Sequence, residues 1–577
     1  MLTHIKIRNF KRFDDVDIAL DKAVVLIGPN NSGKTTALQA LALWDIGLRR
    51  WNEKRKGKST PEKRPGVTVN RRDLFSIPVP SANLLWRDLH VRNVRRAEED
   101  GKRTQKTENI NVEIVVDGVV NGSQWSCGLE FYYANEESFY CRPLRLDKTG
   151  RKRMPVPGEV ENVRVAFLPP MSGLADREFV KQPGEVGVLI GQGQTAQVLR
   201  NLCYKIHREK DSDDWNHLVE HIRELFGVEL LEPIYIAERS EITMAYKEGK
   251  NQLDLSSSGR GLQQTLLLLA HLYANPGAVL LLDEPDAHLE ILRQRQTYNL
   301  LIQVAEQQSS QIIAASHSEV VLGEAANRDM VIAFVGKPHR IDDRGSQVLK
   351  SLQDIGFDQY YQAEETGWVL YLEGSTDLAI LQAFARLLDH EAQAFLERPF
   401  VKYLETNLPN RAREHYAGLW EAKNDLVGIA VFDRLNAELL SARGLSETMW
   451  RRREIENYFC TEEVLLAYAR YDLPDDLFGI AERELRERAM TESIAEVTKL
   501  LEIDELSPWS PDVKASDEVF ERVFKLYFKK LKLPLQLRKS GYHLLAGLAS
   551  REKLDPEITE KLDAIVKVAT GAKPRVS

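Results

Sequence analysis

The chain opens with apolar positions at Ile5, Ile7 and Phe10, followed by an unbroken apolar run from Ala23 to Ile27. Both predict strands, and the second runs straight into a glycine-rich turn. Val112, Ile114 and Val116 alternate within a β-type stretch over 110–140. Two helical stripes follow, Val198, Leu199, Leu202 and Ile206, then Trp215, Leu218, Val219, Ile222, Leu225 and Phe226. Together they predict a helical hairpin inserted in the first half, read as core packing or as a dimerisation surface. Thr265 to Leu282 is the most apolar region, but His271, Asn275, Pro276 and Gly277 break it into a helix, a turn and a strand. It is therefore not a membrane span. Ala278 to Leu282 and Ile312 to Ala315 have the continuous apolar character of strands buried in a parallel sheet. After about residue 350 the pattern restarts, with strands at Trp368–Leu372 and Val427–Phe432, a helix at Leu378–Leu388, and a mainly helical last hundred residues.

Composition narrows the class. The 577 residues are 43% hydrophobic and 28% charged, with a formal net charge of -8. That predicts two to four domains with real cores, and global charge gives no nucleic-acid footprint. A local one is offered by Arg49, Arg50, Lys54, Arg55, Lys56, Lys58, Lys63, Arg64, Arg71 and Arg72, which reads equally as a solvated loop. Cys127, Cys141, Cys203 and Cys460 form no CxxC pair, so neither a zinc site nor a disulfide framework is indicated and a cytoplasmic setting is expected.

Residues 28–35 read GPNNSGKT, following a strand and opening a helix. In that context the segment Gly28, Asn30, Asn31, Ser32, Gly33, Lys34, Thr35 and Thr36 is expected to wrap phosphate with backbone N–H groups. Lys34 would face the β- and γ-phosphates and Thr35 would ligate Mg²⁺. Val279 to Pro285 reads VLLLDEP, a strand ending in two acids. Asp283 is the second expected Mg²⁺ contact and Glu284 the general base for the attacking water. Upstream, Leu255 to Gln264 reads LSSSGRGLQQ, whose Ser257, Ser258 and Gly259 form a second anion-binding turn before a helix. Arg260 is open to two readings, a phosphate contact or a surface residue. Ser316-His317-Ser318 follows a further strand.

P-loop, Ser/Gly turn, DEP and histidine stand in the order of the ABC ATPases, which this region resembles. The resemblance implies that His317 contacts the γ-phosphate. It also implies that the Ser/Gly turn of one copy closes on ATP held by another. The opening IKIRNFKRF resembles the SMC-like branch, although no long heptad run follows the P-loop.

In the second half, WVLYLEGSTD carries Glu373 at a strand end and Asp377 entering a helix, and GIAVFDRLN carries Asp433 at another strand end. Acids at the ends of neighbouring parallel strands can share one crevice, an arrangement suited to divalent-metal phosphodiester chemistry. These residues resemble the Toprim domain, which implies a metal site on Glu373, Asp377 and Asp433. The second acid of the family's D-x-D is absent, because Leu435 stands there. The whole chain resembles the overcoming-lysogenization-defect (OLD) nucleases, as in Gabija and retron-associated anti-phage systems. That resemblance implies Glu456, in WRRREIENYF, as a further ligand and Lys539 as a catalytic cation beside Glu373. In the alternative reading, Arg451, Arg452 and Arg453 pair with Glu454 and Glu456 on a surface.

The expected architecture is α/β: an ABC-type P-loop ATPase head over 1–355, with an inserted β and helical dimerisation region at about 90–250. A smaller Toprim-like nuclease domain with a helical C-terminal part follows over 365–577. The expected function is an ATP-regulated, Mg²⁺-dependent DNA endonuclease, with Mn²⁺ a possible Toprim ion and DNA the partner. The family implies a homodimer or homotetramer through the ATPase region, and a helicase, reverse transcriptase or noncoding RNA encoded nearby. The rival expectation is an ABC-type sensor or scaffold with an inactive Toprim domain.

Overall fold

The computed structural model describes residues 1–55, 66–74, 76–99, 102–120, 122–146, 152–209, 213–326, 328–335, 337–341, 355–436, 439, 444–473 and 477–574. The chain divides into two compact units, Met1–Leu349 and Lys350–Ser577.

In the first unit, two sheets enclose one helix. β1 (Leu2–Phe10), β2 (Phe13–Ala19), β3 (Ala23–Ile27) and α1 (Lys34–Arg55) open the chain. β4 (Val67–Asn70), β5 (Arg92–Glu99), β6 (Lys102–Asn109), β7 (Val112–Val120), β8 (Ser123–Asn135), β9 (Ser138–Pro143) and β10 (Val165–Leu168) follow. The antiparallel sheet runs β2-β1-β7-β8-β9-β4. Its strands alternate, burying Ile5, Ile7 and Phe10 on β1 and Val112, Ile114 and Val116 on β7. Such alternation is what a half-covered sheet requires. The helix it covers is α1, whose Ala37, Leu38, Ala40, Leu41, Ala42, Leu43 and Trp44 are all buried. A helix apolar all round needs cover on every side, and α1 packs against strands of both sheets. At Gly47 the approach is close: a Cβ would lie 2.8 Å from the Phe131 ring.

Next come α2 (Pro183–Gly191), α3 (Leu199–Arg208), α4 (Asp214–Phe226), β11 (Glu229–Leu230), β12 (Ile234–Ile236), β13 (Glu241–Thr243), β14 (Ala245–Glu248) and β15 (Asn251–Asp254). α5 (Arg260–Tyr273), β16 (Val279–Asp283), α6 (Ile291–Gln307), β17 (Gln311–Ser316), α7 (Glu319–Ala325), β18 (Met330–Ala333) and β19 (His339–Arg340) complete the unit. The second sheet is ordered β10-β16-β17-β3-β18-β19, with the first five strands parallel. β3, β16, β17 and β18 are buried at every residue.

Two expectations change here. The stretch treated as an insertion is not a separate body. β7 pairs with β1 and β10 with β16, so residues 112–168 complete both sheets. Sequence distance hid this, because β1 pairs on one edge with its neighbour β2 but on the other with a strand a hundred residues away. The helical hairpin is real, but its stripes are no free dimerisation surface. α3 and α4 both pack on α5, burying Leu199, Leu202, Ile206, Leu218 and Ile222. In the basic run, Lys56, Lys58, Lys63 and Arg64 lie outside the described residues. Arg49 pairs with Asp45, Arg50 with Glu53 and Asp73, and Arg71 with Glu137. Three of the ten cations are thus answered within the unit.

The second unit is a four-stranded parallel sheet, β21-β20-β22-β23, formed by β20 (Trp368–Leu372), β21 (Val401–Tyr403), β22 (Val427–Phe432) and β23 (Leu445–Met449). The helix α8 (Ser375–Leu388) follows β20. The later helices α9 (Glu462–Arg470), α10 (Leu477–Glu502), α11 (Glu521–Lys530) and α12 (Pro556–Thr570) share one core with the sheet, including Phe384, Phe459, Phe520 and Phe524.

Candidate functional sites: a phosphate loop and an acidic crevice

β16, β17 and β3 are neighbours, so their C-terminal ends lie side by side. β16 delivers Asp283 and Glu284, β17 delivers His317, and β3 delivers the loop from Gly28. Ligands of parallel α/β sheets bind at that edge. In the register, Asp283 faces Ala315 and Ser316 faces Ile27.

The loop is held open by its own geometry. Gly33 has φ +108°, and a Cβ there would meet Arg12 Cδ at 2.9 Å. Asn31 also has positive φ. Lys34 Nζ donates to the Gly28 and Pro29 carbonyls, 2.6 Å each. Burial lowers the Lys34 pKa, opposed by Asp283, Glu284 and Asp286. A buried cation satisfied only by carbonyls is matched to an incoming anion. The Ser32 hydroxyl is buried without a partner. Asn30 and Asn31 are exposed on the loop, and Thr36 is half-buried in the first turn of α1.

Thr35 Oγ1 donates to Asp283 Oδ1 at 3.1 Å. Burial pushes the Asp283 carboxyl up to about 6, with Thr35 and Lys34 opposing and Glu284 adding to the rise. A hydroxyl and a desolvated carboxylate in contact are the hard oxygen donors that Mg²⁺ takes, so the residues fit the ion. Glu284 sits in the left-handed region, φ +50°, at the turn out of β16. Asp286 is buried with Oδ1 unpartnered. His317 is exposed, and Ser318 beside it caps α7 while donating to Gln294 Oε1 at 2.7 Å.

Asp254 caps the turn at Ser256, and Ser258 Oγ donates to Leu255 O. Ser257, Gly259 and Arg260 are exposed. No hydrogen bond among the described residues joins Ser257–Gly259 to the P-loop of the same chain. The turn is instead tied to the acidic loop through α5, where Gln264 donates to Pro285 O at 3.3 Å. Gln264 closes the LSSSGRGLQQ segment in the sequence, but its contact with the acidic loop is visible only in the fold.

Two family models match. Residues 1–47 match the AAA ATPase domain, and residues 197–323 match a family described as "AAA domain, putative AbiEii toxin, Type IV TA system". The first holds the P-loop; the second holds the Ser/Gly turn, the two acids and His317. Two stretches of the head thus match AAA ATPase-domain models. Such domains bind nucleotide, usually with Mg²⁺. No curated protein matches the chain. Among solved structures it is similar to an SMC head bound to the C-winged helix domain of ScpA. That structure is 16% identical, with 59% of this chain and 97% of that one covered and a TM-score of 0.34. It is similar too to the SMC head domain from Thermotoga maritima (19% identical, 59% and 98% covered, TM-score 0.30). A third likeness is to the Smc head domain with an extended coiled coil bound to the C-terminal domain of ScpA from Pyrococcus furiosus (15%, 61% and 99%, 0.32). The assignment rests on the family matches and on the placement of Lys34, Thr35 and Asp283. Among the described residues no helix is long and apolar enough to cross a membrane.

The second unit gathers acids at one edge. β20 and β22 pair in parallel, so Glu373 and Asp433 leave the same end of adjacent strands. Asp377 lies in the first turn of α8 and accepts from Gly374 N–H at 3.0 Å. Burial raises the Asp377 carboxyl, with Glu373 adding to the rise. Asp433 is pushed up to about 8 by burial, then by Asp377, Glu373 and Glu454, with Lys539 opposing. Glu456 is 3% exposed and lies well above the usual carboxylate range through burial and Glu454, with Lys539 opposing. Its Oε1 has no partner.

The surface reading of 450–459 is overturned. Arg451 pairs with Glu560, Arg452 with Asp555, and Arg453 reaches the Asp512 carbonyl. Glu454 and Glu456 turn inward instead. Glu454 accepts from Ser516 N–H and from Ser516 Oγ, the latter at 3.0 Å. Lys539 is exposed and attracts Asp377, Asp433, Glu454 and Glu456. Lys514 does the same for Glu454 and Glu373. Sequence reasoning missed Lys514 and Ser516, which lie far along the chain from Glu373 and Glu454 and fall in no motif. Among the described residues no three His, Cys, Asp or Glu side chains stand close enough to hold a metal ion. Leu435 is half-buried where a further acid was sought.

Proposed function

We propose that this chain is an ATP-regulated DNA endonuclease of the OLD kind, acting in bacterial anti-phage defence. The observation that carries the reading is the acidic edge of the second unit. Glu373, Asp377, Asp433, Glu454 and Glu456 crowd one another enough to raise several of their carboxyls, with Lys539 set against them. Carboxylates strongly perturbed by burial and by one another are candidates for a functional site. A divalent cation would relieve the crowding, but to hold it Glu373, Asp377, Asp433 and Glu456 would have to draw closer together than they stand here. Bound there, Mg²⁺ or Mn²⁺ would polarise a phosphodiester and supply an activated water. Lys539 would offset charge developing on the scissile phosphate.

In the head, Lys34 and the loop N–H groups hold the ATP phosphates, Thr35 and Asp283 hold its Mg²⁺, and Glu284 accepts a proton from the attacking water. Exposed Ser257–Gly259 closes on ATP held by a second copy, so the working form is a homodimer or homotetramer. DNA is the substrate. A helicase, reverse transcriptase or noncoding RNA encoded nearby is the expected partner.

The second reading is an ATP-dependent sensor or scaffold with an inactive second unit. Leu435 and the absence, among the described residues, of three metal-spaced ligands favour it. Plasmid and linear DNA incubated with Mg²⁺ or Mn²⁺, with and without ATP, separate the two. Cleavage by the wild type and not by Glu373→Ala, with ATP turnover intact in both, supports the nuclease. Turnover without cleavage in every condition supports the sensor.

A further inference from the structure

A cavity of about 920 Å³ opens in the head between α1, β10, α2, α3 and α5. None of Gly28–Thr36, Asp283, Glu284 or His317 lines it. Its size falls within the range of small-molecule sites.

Its chemistry is uneven. Arg49, Arg50 and Lys181 line it already paired, with Asp45, Asp73 and Glu185 respectively. Arg164, Lys205 and Arg208 have no carboxylate partner among the described residues. Arg164 donates to Pro276 O at 2.6 Å, Lys205 to Ala274 O at 2.8 Å, and Arg208 lies over the Tyr204 ring at 5.5 Å. All three cations are exposed, which puts them at the rim. Deeper groups are left unsatisfied. His271 is 3% exposed; one ring nitrogen faces the Ala166 carbonyl at the margin of a hydrogen bond and the other has no partner. Asp45 is 6% exposed and its Oδ1 has no partner. Buried polar atoms without partners are costly and few in native proteins. Two of them lining one cavity, beneath three cations free of carboxylates, fit a ligand with an anionic end and hydroxyl or ring N–H groups.

We propose that this cavity is a second ligand site, taking a phosphorylated sugar, free or as part of a nucleotide, and that its occupancy alters ATP turnover. The phosphate meets Arg164, Lys205 and Arg208; the sugar or its substituent meets Asp45 and His271. Coupling follows from what the walls are. α1 begins at Lys34, and Asp45 lies eleven residues along it, about 16 Å. α5 begins at the exposed Ser/Gly turn and carries His271. β10 is hydrogen-bonded to β16, which delivers Asp283. A ligand bridging these elements touches those that carry Lys34, the Ser/Gly turn and, through β16, Asp283, but neither β3 with its loop nor β17 with His317. The proposal rests on the ATPase head and is independent of the nuclease reading.

The test uses the full chain with its ATP site saturated by Mg²⁺ and a non-hydrolysable ATP analogue. Ribose 5-phosphate, AMP, ribose and adenosine are titrated calorimetrically. At least one phosphorylated probe binds with one site per chain, and ribose and adenosine do not. Binding by ribose 5-phosphate identifies a free sugar phosphate, and binding by AMP alone identifies a nucleotide. Arg164→Gln with Arg208→Gln weakens binding by about ten-fold or more and leaves basal ATP turnover unchanged. Lys34→Ala leaves binding intact. In separate turnover assays the probe changes the ATPase rate about five-fold. Absence of binding by both phosphorylated probes overturns the site. So does binding that vanishes in Lys34→Ala and survives the double substitution. Binding with unaltered turnover overturns the coupling.

Discussion

Removing a charge from the acidic edge is expected to stabilise the second unit, and Asp433→Asn shows it most directly. Asp433 lies beyond a buried strand, crowded by Asp377, Glu373 and Glu454, and its carboxyl is raised from 3.8 to about 8. A carboxyl whose folded value lies above its unfolded one stabilises the fold fully below about 3.8 and loses that contribution as pH rises through about 8. The shift sets an upper bound of about 5 kcal/mol at pH 7.5. Protons redistribute among neighbouring carboxylates as Asp433 ionises, and the asparagine must itself be solvated or bonded. The expected gain is therefore about 2 kcal/mol at pH 8, falling toward zero near pH 4. The assay is amide hydrogen exchange of β20 and β22 peptides in the full chain, in EDTA, with variant and wild type compared at each pH. Slower exchange in the variant at pH 8, shrinking toward pH 5, is the expected result. Equal or faster exchange at pH 8, or a pH-independent difference, would refute the reasoning.

Three further outcomes are expected. Lys34→Ala removes the cation held at the Gly28 and Pro29 carbonyls and should lower ATP turnover by at least about a hundred-fold; a phosphate-release assay checks it, and unaltered turnover would dismiss the loop as the nucleotide site. Asp283, raised to about 6, must be ionised to hold Mg²⁺, so Mg²⁺-dependent ATP affinity should fall about ten-fold for each pH unit well below 6 and stay level above 7. Fluorescent-nucleotide titration from pH 5 to 8 reads this, and Asp283→Ala should flatten the profile. Ser516→Ala deletes the hydroxyl that holds Glu454 and should destabilise the second unit by about 1–2 kcal/mol, seen as faster exchange in peptides around 454–460.

What the sequence determined by itself was local. Runs such as VVLI, VLLLD and WVLYL can be satisfied only by strands covered on both faces, and each is one, at β3, β16 and β20. GPNNSGKT needs a tight turn between strand and helix, and Gly33 at φ +108° provides it. The apolar stripes over 198–206 and 215–226 folded as helices because side chains four residues apart share a face.

What the tertiary structure decided was pairing at a distance. Residues 112–143 read as an insertion because strand partners leave no mark in the chain, yet they close the sheet that β1 begins. In the alternative reading Arg451, Arg452 and Arg453 are partners of Glu454 and Glu456, since neighbours in sequence are the only neighbours a sequence displays. In the fold the arginines find Glu560, Asp555 and the Asp512 carbonyl, while the two glutamates turn inward toward Ser516 and the field of Lys539. The same limit hid the cavity behind α1. Neither His271 nor Arg164 is distinctive alone, and only packing of five separate elements brings a buried ring with an unsatisfied nitrogen into one cavity with cations that lack a carboxylate partner. Secondary structure is written in nearest-neighbour periodicity, whereas a site's chemistry depends on burial and on charges that the chain brings together only when it closes.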